Sequence, residues 1–344
     1  MMIIRPIRSD DYPVLFEIAK ESGVGFTSLP VNEAILRAKI SHAEESFSKD
    51  VSQPGPENYL FVMEDVATGE VVGTSGIEAA VGLDDAFYSY HHGKVVHSSR
   101  ELEVHNELET LTLCNDYTGT SEICTLFLRE GARGGHNGRF LSKFRFLFIA
   151  EHSERFSESI IAEMRGVSDE EGRSPFWKWL EEHFFSMDFP TADYLTGIGQ
   201  KVFIAELMPK YPIYVNLLSD EAQQVIGKVH EKTKPALNLL LSEGFNKSGY
   251  VDIFDAGPTV EANVNYIRTA QASRKLPVEI GSGIQDSAPN HFVINTKVKD
   301  FRGVMADIQI NEETQTVLIS EATANALGVA AGEDIRFAPI HLGD

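Results

Sequence analysis

Cysteine is nearly absent: Cys114 and Cys124 are the only two in 344 residues. Two thiols can form neither a disulfide framework nor a four-thiolate metal site, and both lie among apolar neighbours, so they read as buried thiols. Long apolar runs are missing too. None approaches the roughly 18–20 residues that cross a bilayer, and the start, Met1-Met2-Ile3-Ile4-Arg5-Pro6, has no long apolar stretch before a cleavage site. The expectation is a cytoplasmic protein with no membrane partner. Basic residues are scarce: 30 Lys and Arg face 51 Asp and Glu, a formal charge of −21. Nucleic acids are held mainly by Lys and Arg clusters, so most of this surface would repel them. Glycine (27) and proline (14) are too few for a collagen-like or low-complexity chain.

What is present reads as a globular α/β protein, one large fold or two to three units. Residues 3–8 form a β-like run, Ser9-Asp10-Asp11 a helix cap, and Tyr12 to Glu21 a helix with Val14, Leu15 and Ile18 on one face. Residues 31–47 give a second helical pattern, and residues 59–65 and 70–77 flank Ala67-Thr68-Gly69 as a β-hairpin. Residues 83–119 are loop-rich, with short strand-like pieces at Val95-Val96 and 111–113. Their histidines, His91, His92, His97 and His105, fit no metal spacing, and no metal is expected. Ser121 to Leu128 reads as a buried strand, Ser159 to Met164 as another, Asp220 to Val229 and Pro235 to Ser242 as helices. Ser174-Pro175-Phe176-Trp177 reads as a capped helix start with its aromatics in the core. After a linker-like stretch at 270–290, short strands at 291–296, 303–310 and 315–319 suggest a small β-rich module over residues 285–344, following a body of residues 1–270.

The sharpest signal is a local charge inversion. Arg129, Arg133, Arg139, Lys143 and Arg145 against Glu130 make residues 129–145 formally +4. The segment combines a strand, the glycine-rich Gly131-Ala132-Arg133-Gly134-Gly135-His136-Asn137-Gly138, and a helix with Phe140, Leu141, Phe144, Leu147 and Phe148 as its core stripe. Free backbone N–H groups and the helix dipole make such a junction an anion site. A Walker loop is excluded, since no Gly-Lys-Ser/Thr follows, and the glycines miss the G-x-G-x-x-G spacing.

Arg133 to Gly138 resembles the acyl-CoA loop of the GNAT acyltransferases, Q/R-x-x-G-x-G/A, with His136 where that family has glycine. The Ile-Arg-Pro strand, the Asp-capped helix and the Glu-Asp-x-x-Thr-Gly-Glu hairpin resemble that fold's opening elements. Longer motifs resemble the bacterial arginine N-succinyltransferases: residues 25–30 (GFTSLP), 124–128 (CTLFL), 162–166 (AEMRG), 184–189 (FFSMDF), 205–210 (AELMPK) and 250–258 (YVDIFDAGP). The resemblance implies a GNAT-like mixed sheet with flanking helices and transfer of succinyl from succinyl-CoA to the α-amine of L-arginine. Ornithine or another amine as acceptor, and a CoA-binding subunit without turnover, stay open as alternatives, as does assembly as a homo-oligomer or with a homologous partner subunit.

By the same resemblance, His230 falls at the family's proton donor and Leu126 at its succinyl-CoA contact, with Arg133, Gly135, Asn137 and Gly138 in the CoA loop. The reactants add two requirements. The donor's extra carboxylate needs a cation, for which Arg165 is the candidate, and a guanidinium needs carboxylates, for which Glu163, Asp252 and Asp255 are candidates.

Overall fold

The computed structural model describes residues 1–282, 284 and 289–341. Its strands are β1 (Met2–Pro6), β2 (Asn58–Asp65), β3 (Glu70–Glu78), β4 (Ser89–Ser99), β5 (Val104–Cys114), β6 (Ser121–Leu128), β7 (Ser159–Glu163), β8 (Ile213–Tyr214), β9 (Asn246–Val251), β10 (Pro258–Asn263), β11 (Arg274–Ile280), β12 (His291–Asn295), β13 (Gly303–Ala306), β14 (Gln309–Asn311), β15 (Thr316–Ile319) and β16 (Asp334–Pro339). They pair in the order β14-β15-β11-β16-β12-β13-β1-β2-β3-β6-β7-β10-β9-β4-β5-β8. Two of these pairings are parallel, β6 with β7 and β11 with β15. The mixed sheet with flanking helices expected from the sequence is what forms. No helix among the described residues is long and apolar enough to cross a membrane.

Helices α1 (Tyr12–Ser22) and α2 (Glu33–Ser48) bury Leu15, Ile18, Leu36, Ile40 and Phe47 in the main core. The β2–β3 hairpin turns at Gly69, whose φ of +72° suits glycine. Helix α3 (Asn137–Glu151) has the predicted stripe, but every residue from Phe140 to Ile149 is buried. The reason is tertiary: besides β3 and β6, the C-terminal strands β12 and β16 and the short helix Arg268–Gln271 pack on α3, with Phe140 stacked on Phe292 at 5.4 Å. The residues read as linker at 270–290 contain β11. Its charges and Pro277 mask the strand pattern, yet it pairs with β16 through Arg274↔Phe337 and Leu276↔Ile335. The C-terminal strands join the rest of the sheet through Ile3↔Val304.

Two other expectations change. Residues 83–119 hold a long hairpin, β4 paired with β5 from Ser89↔Cys114 to Ser99↔Val104. Its outer part is exposed, so no buried face imposes the alternation that reveals a strand. The helix expected over 220–229 ends at Val225; Gly227 follows at φ +68°, and Val229 bridges Gly166. Ser174 does cap the helix Pro175–Leu180, and Phe176 and Trp177 are buried in a second core cluster.

Candidate functional site

The site begins with a distortion in β6. Thr74 pairs with Phe127 and Gly76 with Cys124, so β6 carries one extra residue, and Thr125 sits at φ +52°. A non-glycine residue in that left-handed region marks a bulge held against its own preference; here the Thr74 hydroxyl donates to the Thr125 carbonyl at 3.0 Å. On its other side β6 runs beside β7 only through Ser121↔Ile160 and Glu122↔Ile161. Past that point the strands part, and a cleft of about 1860 Å³ opens between residues 122–128 on one wall and 162–165 on the other. Leu126 lies in this unpaired reach, directly after the bulge.

At one end of the cleft is the glycine loop. Gly135 has φ +53°, and a Cβ on Gly134 or Gly135 would meet nothing within 4 Å, which leaves the loop open to a ligand. The Asn137 side chain is spent closing the loop, donating to the Ala132 carbonyl at 3.1 Å, and Arg133 Nε donates to the Leu128 carbonyl at 2.9 Å. The amides of Gly138 and Arg139 lie in the first turn of α3, where a helix leaves its N–H groups unpaired.

The charge inversion of this segment is only partly a ligand signal. Arg129 pairs with Glu21 at 2.9 Å and Glu70 at 3.4 Å, and Lys143 forms a buried pair with Glu243 at 2.6 Å. Arg145 is buried, donating to the Ser142 carbonyl and hydroxyl at 3.0 and 3.1 Å, and burial lowers it to about 10. Arg133 and Arg139 are the cations left at the loop, both exposed and lining the cleft.

The cleft's other end is acidic. Glu163, Asp252 and Asp255 line it as the sequence proposed, together with Glu78, Glu122 and Asp193, which sequence reasoning missed. Glu163 Oε1 is buried with no hydrogen-bond partner, and burial followed by the charge of Asp252 holds the group well above the usual carboxylate range. Glu122 is pushed up to about 7 by burial and by Glu78. Asp255 is different: its oxygens accept the N–H groups of Gly166 at 2.7 Å and Gly257 at 2.8 Å, so it fastens the loop after β7 to the turn after β9. Asp252 Oδ1 likewise accepts from Phe254 and Asp255. Asp193 is bound by Thr27 Oγ1 and the Gly25 amide. Lysines 39 and 201 also line this end, Lys39 paired with Glu78 at 3.4 Å.

Arg165 sits beside these acids, with Nη2 on Ser168 at 3.2 Å and Nε buried without a partner. His230 is adjacent: its N–H donates to the Arg165 carbonyl at 2.9 Å, and its Nδ1 accepts the Lys232 N–H at 3.2 Å. That contact puts the proton of the neutral ring on Nε2. Burial, then Arg165 and Lys232, hold its pKa below the ordinary value. Lys232 and Thr233 line the cleft, while His230, half-buried and two residues before Lys232, is not among its lining residues. Neither thiol is fully buried; Cys124 lines the cleft, and burial raises it to about 12.

The family model described as arginine N-succinyltransferase beta subunit matches residues 2–269, and its C-terminal domain matches residues 274–339. The chain is 49% identical to "Arginine N-succinyltransferase subunit beta" of Pseudomonas aeruginosa over 98% of both chains. It is 48% identical to "Arginine N-succinyltransferase" of Yersinia pestis, covering 98% of this chain and 99% of that one. Among solved structures, arginine/ornithine succinyltransferase subunit AI of Pseudomonas aeruginosa superposes with a TM-score of 0.90 over 99% of both chains at 38% identity. With both parts of the family model matched in order and near-complete coverage of these relatives, the chain belongs to the arginine N-succinyltransferase beta subunit family.

Proposed function

We propose that the chain transfers the succinyl group from succinyl-CoA to the α-amine of L-arginine, giving N2-succinyl-L-arginine and CoA. The observation that carries this is the polarity of one cleft, with open helix amides and two exposed arginines at one end and buried, partner-free carboxylate oxygen at the other. The first end suits the phosphates of a CoA donor, the second a guanidinium. The volume of about 1860 Å³ exceeds the roughly 300–1,000 Å³ of an ordinary small-molecule site, as a carrier and an amino acid together require.

In this reading Arg133, Gly135, Asn137 and Gly138 shape the phosphate loop, and the opened backbone around Leu126 receives the thioester carbonyl, where donors would stabilise the developing oxyanion. The partner-free Nε of Arg165 is available to the succinyl carboxylate. Glu163 takes the guanidinium with Glu122, while Asp252 and Asp255 act mainly by holding the wall that carries Arg165. The neutral α-amine attacks the thioester carbon and the C–N bond forms; the nitrogen then releases its extra proton to solvent, the C–S bond breaks, and His230 as imidazolium gives the leaving thiolate its proton and is reprotonated from solvent. The lowered pKa makes that imidazolium a stronger acid than a free histidine's. Replacing His230 with Ala should lower kcat by roughly 10²–10⁴ with little change in either KM, the signature of a proton-transfer group.

Residues 1–270 act as the acyltransferase body and residues 285–344 as a β-rich module on it. The names of the two Pseudomonas aeruginosa relatives contain the word subunit, which supports assembly with like or homologous chains in a cytoplasmic enzyme. The deciding assay is thiol release by the purified chain with succinyl-CoA or acetyl-CoA against L-arginine or L-ornithine. Release with succinyl-CoA and arginine is expected; equal kcat/KM for all amines would remove the arginine assignment.

A further inference from the structure

Two features have no part in the mechanism above: the histidine in the glycine loop and the chain end that follows β16. Ile340 is buried, and its N–H donates to the Asn290 carbonyl at 2.9 Å, so the backbone is anchored where His341 emerges. The His341 ring lies edge-on to His136 at 5.1 Å between centroids, and its Nδ1 is 3.4 Å from Nη1 of Arg139. All three side chains line the cleft at the glycine loop, as do Arg133 and Glu130. Two arginines and two imidazoles thus line this end of the cleft beside Glu130. Partial burial, then His341 and Arg139, hold His136 below its ordinary pKa. An anion among them would reverse that balance.

We propose that His136, Arg139 and His341 form one proton-linked phosphate clamp, so that the C-terminal segment supplies a binding residue for the phosphates of the acyl carrier. This rests on the succinyl-CoA reading above. When a phosphate enters, each imidazole that gains a proton from solvent gains a charge-assisted N–H donor toward a phosphate oxygen, and the mutual repulsion becomes attraction to a shared anion. Histidine in place of the usual loop glycine at 136 then adds a ligand, and the β-rich C-terminal strands act as the support that brings His341 to it.

Calorimetric titration of CoA into the full chain near neutral pH, in two buffers of different ionisation enthalpy, tests this. The wild type should take up protons on binding. His341→Ala should bind CoA roughly tenfold more weakly and take up fewer protons. His341→Arg should keep the affinity while taking up fewer protons than the wild type, which a merely structural role for the residue would not produce. If the His341→Ala effect vanishes with 3′-dephospho-CoA, the clamp holds the 3′-phosphate; if it persists there and with inorganic pyrophosphate, it holds the pyrophosphate. Wild-type affinity and proton uptake in His341→Ala would overturn the clamp alone, whereas no binding of CoA by the wild type would overturn the donor reading beneath it.

Discussion

Two groups of buried charge lie within this fold, and they are built on opposite principles. Along α3, Lys143 meets Glu243, whose other oxygen accepts the Thr269 amide at 2.8 Å, and Arg145 is enclosed by carbonyls and a hydroxyl. Across the cleft, Glu163 keeps an oxygen without any partner and Glu122 is pushed up to about 7 beside another carboxylate. Buried charges that hold a fold together are matched within the chain. Those that await a ligand are left unmatched, and the protein bears the cost until the ligand arrives.

Substitutions on either side should separate the two groups. Lys143→Met strands Glu243 in the core and should cost about 3–5 kcal/mol of unfolding free energy, read by denaturant titration; a smaller loss would mean that the α3 pair is not structural. On the cleft side, Glu122 is neutral below about pH 7 and ionised above it, so the KM for arginine should fall as pH rises toward that value, by roughly tenfold per unit well below it, and Glu122→Gln should flatten the profile. Glu163→Gln should raise the Tm of the empty protein. A carboxyl whose folded pKa is raised keeps its proton while the unfolded chain loses one, so stability falls as pH rises from 4.5 upward; the amide removes that slope, and the gain in Tm should grow with pH. The smallest effect belongs to Arg129→Ala. Its pairs with Glu21 and Glu70 are near the surface, and losing them should cost under about 1 kcal/mol and leave CoA affinity unchanged.

This contrast explains what the sequence could and could not disclose. The loop and helix at 131–151 were legible because glycine spacing and a 3.6-residue apolar period are local. Their cations were not: Lys143 and Arg145 count toward the same +4 as Arg133 and Arg139, and only tertiary partners distant in sequence, Glu243 for Lys143 and the Gly76 and Cys124 carbonyls for Arg145, take them inward. Glu78, Glu122 and Asp193 were missed because they lie far apart in sequence and share no spacing; only the pairing of β3 with β6 sets Glu78 opposite Glu122. One signal was present, since Glu122 and Cys124 lie on the same face of β6 just before Leu126. The β4–β5 hairpin was underread for the opposite reason, because its exposed end obeys no burial pattern.

Glu163 is the residue expected to meet the guanidinium of the substrate. The most direct measurement is the ratio of kcat/KM for L-arginine over L-citrulline, its uncharged isostere, in the wild type and in Glu163→Gln. The wild type should strongly prefer arginine and the variant should lose most of that preference, whereas an unchanged ratio would contradict the assignment.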